Sequence, residues 1–116
     1  MRKLFLCTLI LFSIIISQVH AQVVLSPTRD LPPIQEYIKN KGIKRLYEVA
    51  RCESSFKIDA VGDHGLAYGV MQFHKATFDG YAKKYGLLLD YKNPYHQVDL
   101  ATLMFKDKLQ YHWTCK

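Results

Sequence analysis

The sequence predicts a small, mainly helical domain, and three observations support this prediction. Apolar residues recur at helical spacing in several stretches, most clearly from Ile43 to Ser54 and from Tyr95 to Tyr111. Glycine and proline punctuate the chain where such stretches begin or end. No segment shows the alternation of apolar and polar residues that is typical of a half-buried strand.

The first 21 residues have the pattern of a secretory signal peptide. A basic head, Met1-Arg2-Lys3, precedes an apolar run from Leu4 to Ile16 and the small-residue exit Val19-His20-Ala21. The apolar run is short for a membrane span, and no second run follows it. We therefore expect cleavage before Gln22 and an exported domain, periplasmic or secreted, of about 95 residues with no membrane span.

Removal of residues 1–21 would remove Cys7 and leave two cysteines, Cys52 and Cys115. In an oxidising compartment two cysteines suggest one disulfide, and two free thiols are the alternative. A domain of this size buries a modest core, so a cross-link would matter to its stability. For a loop of this length the chain-entropy model gives a stabilisation of ~4 kcal/mol.

The net charge indicates which kinds of partner the protein is suited to bind. It is +6 for the whole chain and falls to +4 when Arg2 and Lys3 are removed. Such an excess suits an exported protein that meets anionic polymers, such as cell wall or a membrane surface. The basic residues are too few and too dispersed to indicate nucleic acid, so we expect no nucleic-acid partner.

In chain order, residues 22–33 carry three prolines and are predicted to form an extended lead-in. Ile34 to Lys41 is predicted to be a short helix that ends at Gly42. A second helix is predicted from Ile43 to about Ser54.

Ser55 to Gly65 is predicted to be a loop because it is rich in glycine and aspartate. The mixed segment from Leu66 to Phe73 has no clear period. Thr77 to Tyr85 is predicted to be a helix ended by Gly86, and a long helix is predicted from Tyr95 to about Tyr111.

Glu53 lies at the C-terminal end of the apolar face of the second predicted helix. Ile43, Leu46, Ala50 and Glu53 are spaced three, four and three residues apart, so they share one helix face. A general acid at neutral pH needs a carboxyl in apolar surroundings, which makes Glu53 a candidate. A helix-end glutamate turned to solvent, or paired with a neighbouring cation, explains the same pattern.

No other catalytic or metal-binding signature is present. The four histidines beyond residue 21 are spread along the chain, and no pair has the i, i+4 spacing of a metal motif, so we expect neither a metal nor another cofactor. Ser54 and Ser55 lack the glycine frame of a nucleophile elbow. We do not expect a cysteine nucleophile, because Cys115 is an obvious disulfide partner for Cys52.

Three segments at a defined separation resemble the lysozyme-like soluble lytic transglycosylases, the SLT-type family, in a minimal variant. Glu53-Ser54-Ser55-Phe56 corresponds to the family's Glu-Ser-x-Phe, and Ala60-Val61 follows it. Gly65 to Gln72 then corresponds to the Gly-x-x-Gly-Leu-Met-Gln segment. Pro94, Gln97 and Ala101 match a later family motif imperfectly, and the usual Ala-Tyr-Asn-Ala-Gly segment is missing.

The resemblance covers roughly Ile43 to Phe105 and implies a lysozyme-like catalytic domain within residues 34–116. Its cleft would lie between the Glu53 helix and the Gly69–Gln72 segment, with Glu53 as the catalytic acid and base. The residues expected to contact substrate or to hold the site are Ser54, Tyr68, Gly69, Met71, Gln72, Tyr95 and Gln97. Trp113, next to the predicted disulfide, is expected to serve packing.

The implied substrate is the glycan strand of peptidoglycan, cut by a monomer at the β-1,4 bond between N-acetylmuramic acid and N-acetylglucosamine. A hydrolase generally needs a second carboxylate, and the position that holds Asp in animal-type lysozymes is Ala67 here. Asp59 and Asp63 could reach the cleft, but loop aspartates are usually turn formers. We therefore expect a lyase. A lysozyme-type muramidase and a catalytically inactive peptidoglycan-binding module are the alternatives.

Overall fold

Four α-helices hold about half of the residues that the computed structural model describes, which are residues 31–115. They are α1 (Ile34–Asn40), α2 (Lys44–Ser54), α3 (Lys75–Lys84) and α4 (Pro94–Lys106). The prediction of a mainly helical domain is confirmed. The predicted signal peptide, residues 1–21, and the lead-in up to residue 30 lie outside the described residues.

A small antiparallel sheet, which the sequence did not predict, joins α2 to α3. Its strands, in spatial order, are β1 (Val61–Gly62), β2 (Ala67–Tyr68) and β3 (Phe73–His74). Strands of two residues are too short to show an alternating pattern, which explains why residues 55–65 were predicted to be a loop and why Leu66 to Phe73 showed no clear period. The register aligns Gly62, Ala67 and His74 in one row across the sheet.

The ends of α3 and α4 show why one helix boundary was predicted well and the other was not. After α3, Gly86 has a φ of +68°, and the N–H of Leu87 reaches the carbonyl of Ala82 across 2.9 Å. After α4 the same motif forms, but Lys108 takes the left-handed position at φ +61°. Because no glycine marks it, the sequence predicted a helix reaching Tyr111.

The core lies where the four helices and the C-terminal segment, residues 107–115, meet. On α2, Leu46 and Ala50 are fully buried, as the apolar stripe predicted. The buried apolar side chains are Ile38, Leu46, Val49, Ala50, Val70, Met71, Phe73, Phe78, Ala82, Val98, Leu100, Ala101, Met104, Phe105 and Trp113. This core holds α2 and the segment before β3 side by side.

Between residues 31 and 115, no helix is both long enough and apolar enough to cross a membrane.

Candidate active site

Glu53 lies in the last turn of α2, one turn beyond the buried Ala50. The helix ends immediately after it, because Ser55 and Phe56 adopt left-handed conformations with φ of 53° and 64°. The chain therefore turns away from the helix axis, and the ring of Phe56 packs against Tyr47 at 4.9 Å. The half-buried side chain of Glu53 is left at the rim of the core.

A cleft of about 220 Å³ opens beside Glu53. The sheet, the start of α3 and the C-terminal segment form its other walls. The lining residues are Glu53, Asp63, Ala67, Gln72, Phe73, His74, Thr77, His112, Trp113 and Thr114. The cleft thus combines two carboxylates and two imidazoles with hydroxyl and aromatic groups.

The C-terminal segment holds the Glu53 carboxylate directly. The N–H of Cys115 donates a hydrogen bond to Oε1 of Glu53 across 3.2 Å. Cys115 is bonded to Cys52, so the predicted disulfide is confirmed. Trp113 is buried, and its Nε1 donates to the carbonyl of Met71 across 2.7 Å. The predicted packing role of Trp113 is confirmed as well.

Ser54 connects α2 to the opposite side of the cleft from within the core. Its side chain is buried, and its hydroxyl lies 2.7 Å from the carbonyl oxygen of Val70 and 3.1 Å from that of Ala50. These contacts fit the expected role of holding the site rather than a direct contact with sugar.

Gln97 was expected to bind substrate, and the structure places it elsewhere. Its side chain is fully buried, with Oε1 accepting from the N–H of Met71 across 3.1 Å. Its Nε2 donates to the carbonyls of Tyr68 and Tyr91 across 3.0 and 2.9 Å. The amide is therefore committed to the backbone that shapes the cleft wall, and it is not available to a sugar.

Gly69 and Met71 also support the wall from inside. Gly69 has a φ of +87°, and a Cβ atom there would lie 2.3 Å from Nε2 of Gln97. Only glycine adopts this left-handed backbone conformation without strain and also leaves room for the amide of Gln97. The side chain of Met71 is fully buried in the core, so it is not exposed to a ligand.

Gln72 is the one predicted sugar contact that lines the cleft beside Glu53. Its Nε2 donates to the carbonyls of Ala60 and Gly69, each across 2.9 Å. With both amide protons engaged, Oε1 is the atom that remains for a ligand donor.

The structure does not bring Tyr68 or Tyr95 to the cleft. The Nζ of Lys92 lies 3.4 Å from the ring centroid of Tyr68, so the ammonium group of Lys92 covers one face of that ring. Tyr95 donates from its hydroxyl to the carbonyl of Pro32 across 2.9 Å and packs edge-on against Tyr37. Both expectations of a sugar contact in this cleft are therefore not supported.

Asp63 and His74 form a pair in the cleft. The sequence indicated that Asp63 could reach the cleft, but it gave no indication of His74. Nε2 of His74 lies 2.7 Å from Oδ2 of Asp63. The register of the sheet aligns Gly62, Ala67 and His74 in one row, and Asp63 directly follows Gly62. In the sequence, His74 is one of several histidines that are spread along the chain. Its position directly after the Gly69–Phe73 segment was the available signal.

The sequence also gave no indication that His112 lines the cleft. Its Nε2 lies 2.8 Å from the hydroxyl oxygen of Tyr81, and its ring stacks on Tyr111 with centroids 4.6 Å apart. The short turn Gln110–His112, which follows α4, brings it to the cleft. No local motif in the sequence marks this position.

Backbone strain concentrates around the cleft. Six residues other than glycine have positive φ in the described part of the chain, and five of them lie between residues 55 and 72. They are Ser55, Phe56, Asp63, His64 and Gln72. Each costs roughly 1–3 kcal/mol, and such costs cluster at functional sites. Two of these five residues, Asp63 and Gln72, line the cleft.

Within residues 31–115, no group of three or more histidine, cysteine, aspartate or glutamate side chains is arranged to hold a metal ion. The side chains that line the cleft offer carboxyl, imidazole, hydroxyl and amide groups.

Comparison with known proteins gives one positive finding. The family model described as Transglycosylase SLT domain matches residues 32–113. The match contains α1 to α4, the sheet and the buried Trp113. No match was found among curated proteins, and none was found among solved structures.

Proposed function

The chain belongs to the transglycosylase SLT domain family, and on that premise we propose that it is a peptidoglycan lytic transglycosylase with Glu53 as its general acid and base. The bond cleaved is the β-1,4 bond between N-acetylmuramic acid and N-acetylglucosamine. The observation that carries this proposal is the position of Glu53, half-buried in a cleft and held through Oε1 by the N–H of Cys115.

In the proposed reaction, Oε1 is engaged by the N–H of Cys115, so Oε2 of protonated Glu53 faces the glycosidic oxygen. Glu53 gives its proton to this oxygen as the bond from C1 of N-acetylmuramic acid to the leaving sugar breaks. The 6-hydroxyl of the same muramic acid then bonds to C1 and returns its proton to Glu53. The product carries a 1,6-anhydro end, and the carboxyl is restored.

The polar lining supports binding of a sugar. Gln72 offers Oε1 as an acceptor, and the hydroxyl groups of Thr77 and Thr114 are donors and acceptors at the same cleft. Trp113 adds apolar surface next to them. A few oriented polar groups beside an apolar wall are what recognition of a sugar ring requires.

A lysozyme-type muramidase is the second candidate, and one observation favours it. Asp63 lines the same cleft as Glu53, so a second carboxylate is present although Ala67 is not acidic. A carboxylate there can position water for hydrolysis. The contact between Asp63 and His74 engages Oδ2, so Oδ1 would be the oxygen that faces water.

The proposal also places the protein outside the cytoplasm, as a monomer acting on the cell envelope. The predicted signal peptide of residues 1–21 supports export. The Cys52–Cys115 disulfide supports it independently, since such bonds persist in oxidising compartments.

The test is to incubate the purified protein with purified peptidoglycan and to analyse the products by mass spectrometry. We expect 1,6-anhydro ends, whereas reducing ends would support the muramidase. Intact sacculi carrying bound protein would support an inactive binding module.

Two variants test whether Glu53 is required to form the products. Glu53→Gln is expected to lower the rate at least ~10²-fold. Glu48→Gln is the matched control, because Glu48 lies on the same helix in surface ion pairs with Lys44 and Arg45. Equal rates for Glu53→Gln and the parent would refute the catalytic assignment.

A further inference from the structure

The Asp63–His74 pair lies in the cleft, but the lyase steps proposed for Glu53 do not use it. Asp63 and His74 line the same cleft as Glu53, and Nε2 of His74 lies 2.7 Å from Oδ2 of Asp63. The side chains of Asp63 and His74 are 52% and 48% exposed, so solvent reaches their contact. The cleft therefore holds a second, solvated carboxylate that an imidazole engages.

The contact between the two side chains has a defined direction. An ionised carboxylate only accepts hydrogen bonds, so at this distance the proton lies on Nε2 of His74. That donor is present in the imidazolium and in the neutral tautomer protonated at Nε2. Among residues 31–115, no other cationic side chain pairs with Asp63. His74 is therefore the group that fixes the orientation of this carboxylate.

The backbone places Asp63 at the cleft independently of the imidazole. Asp63 follows β1 in the short turn that leads to β2, and its carbonyl accepts from the N–H of Leu66 across 3.0 Å. The pairing of Gly62 with Ala67 closes the hairpin around this turn. These backbone contacts remain when the side chain of His74 is removed, so the carboxylate would stay at the cleft.

The side chain of His74 contributes little else to the fold. His74 precedes α3 as its N-cap residue, but its side chain forms no capping hydrogen bond. Its backbone has a φ of −74° and a ψ of 138°, which most residues adopt without strain. A substitution at this position is therefore expected to remove the contact with Asp63 and to leave the core intact.

The lyase and hydrolase reactions differ in the oxygen that bonds to C1 after Glu53 has protonated the leaving sugar. In the lyase reaction the 6-hydroxyl oxygen bonds to C1, and its proton passes to Glu53. In hydrolysis a water oxygen bonds to C1, and its proton passes to a second carboxylate. That carboxyl then releases the proton to solvent, and Glu53 takes one up. A second carboxylate that is free to bind water therefore favours hydrolysis.

We propose that His74 is a positioning residue that limits hydrolysis by holding the carboxylate of Asp63. This inference rests on the proposed function, because it concerns how a cleft with two carboxylates would form anhydro ends rather than hydrolysed ends. The N–H of His74 engages Oδ2, and its ring occupies the space beside that oxygen. Without the imidazole, the carboxylate can rotate and direct both oxygens towards water.

The test measures the ratio of new reducing ends to anhydro ends, by mass spectrometry of the products. The substrate is peptidoglycan treated with borohydride, so that reducing ends already present are not counted. In His74→Ala this ratio is expected to rise about tenfold, which is less than the ~10²-fold that a well-placed general base contributes. His74→Phe removes the donor and keeps a ring, so it repeats the test with packing retained.

Three further variants separate the contact from the histidine itself. His74→Gln retains an N–H donor at a similar reach and is expected to keep the wild-type ratio. His74→Ala combined with Asp63→Asn should also return to the wild-type ratio, because the amide cannot take a proton from water. His64→Asn is the control, since exposed His64 adjoins Asp63 without lining the cleft. Asparagine tolerates the φ of 56° at that position.

A ratio that is unchanged or lower in folded His74→Ala and His74→Phe would overturn the inference, even if the total rate falls. A ratio that stays high in the double variant would overturn it too, because Asp63 would not be the group released. In each case, anhydro ends from the wild type would leave the proposed function intact. A wild type that forms only reducing ends would refute the proposed function and the inference together.

Discussion

The N–H of Cys115 and the carboxylate of Glu53 are hydrogen-bonded across 3.2 Å, although the two residues are 62 positions apart. The disulfide that positions Cys115 ends at Cys52, the residue directly before Glu53. Cys115 is therefore linked to two consecutive residues of α2, by a covalent bond to Cys52 and by a hydrogen bond to Glu53. The cross-link serves the candidate catalytic group as well as the fold.

Reduction of the disulfide is therefore expected to lower both stability and activity. Opening the loop should cost about 2–4 kcal/mol of unfolding free energy. Activity should fall even where the protein remains folded, because the segment that carries the N–H donor is no longer tied to α2. Thermal unfolding and product release, each with and without reductant, measure the two effects.

The control for this experiment is Cys52→Ser combined with Cys115→Ser. Reductant should have no effect on that variant, and its rate should match that of the reduced parent. A parent whose activity survives reduction at temperatures where it is folded would contradict the role given to the disulfide.

Gly69→Ala and Gly42→Ala form a matched pair that separates backbone strain from a steric clash. Both glycines have positive φ, at +87° and +71°, so each alanine pays roughly 1–2 kcal/mol. A Cβ on Gly42 would meet nothing within 4 Å, whereas one on Gly69 would collide with the amide of Gln97. Breaking the three buried hydrogen bonds of Gln97 should add at least ~2 kcal/mol.

Urea unfolding of the two variants measures this difference. Equal destabilisation would show that Gln97 moves aside without loss. In that case its amide would not be the fixed support of the cleft wall that the hydrogen bonds indicate.

Asp63→Asn distinguishes the two candidate reactions. For a lyase, we expect anhydro products at a rate within about tenfold of the wild type, because the proposed steps use Glu53 alone. Asp59→Asn is the control, since Asp59 is an exposed aspartate of the same loop that does not line the cleft. Reducing-end products that disappear with Asp63→Asn, and persist with Asp59→Asn, would instead establish the muramidase.

Tyr85 should make stability depend on pH in the alkaline range. Its hydroxyl donates to Oδ2 of Asp107, and this hydrogen bond, with partial burial and nearby charge, raises the pKa of Tyr85 to about 12. A raised pKa means that folding favours the protonated form. The contribution is therefore complete below pH 10 and is lost as the pH rises towards 12.

The effect should be small, because solvent screens the pair. The difference in unfolding free energy between wild type and Tyr85→Phe should shrink from pH 9 to pH 11.5. Absorbance titration should also show that the variant lacks the most alkaline tyrosine. A difference that stays constant over this range would contradict the assignment.

Local patterns located the helices, and only together with the family resemblance did they favour Glu53 as the candidate catalytic residue. The three-and-four spacing of Leu46, Ala50 and Glu53 located α2 and its apolar face, because helical geometry depends only on neighbours in the sequence. Gly86 located the end of α3 by the same logic. The pairing of Cys52 with Cys115 followed from counting cysteines after the predicted cleavage.

Side-chain roles beyond this could not be inferred from local pattern. Gln97 and Gln72 are chemically identical, yet one is buried among backbone groups and the other lines the cleft. Tyr68 and His74 lie in adjacent strands of one sheet, and only His74 faces the cleft. Which side a residue of a two-residue strand faces depends on register, which is set by partners elsewhere in the chain.

The sequence by itself determined that this protein has an amphipathic helix ending in Glu53, a likeness to a family that cuts glycan strands, and one available disulfide. The tertiary structure alone decided what surrounds the carboxylate. The Cys115 donor, the Asp63–His74 pair and the imidazole of His112 come from segments far apart in sequence. Only packing of the shared core brings them together, since no local propensity encodes a distance between separate segments.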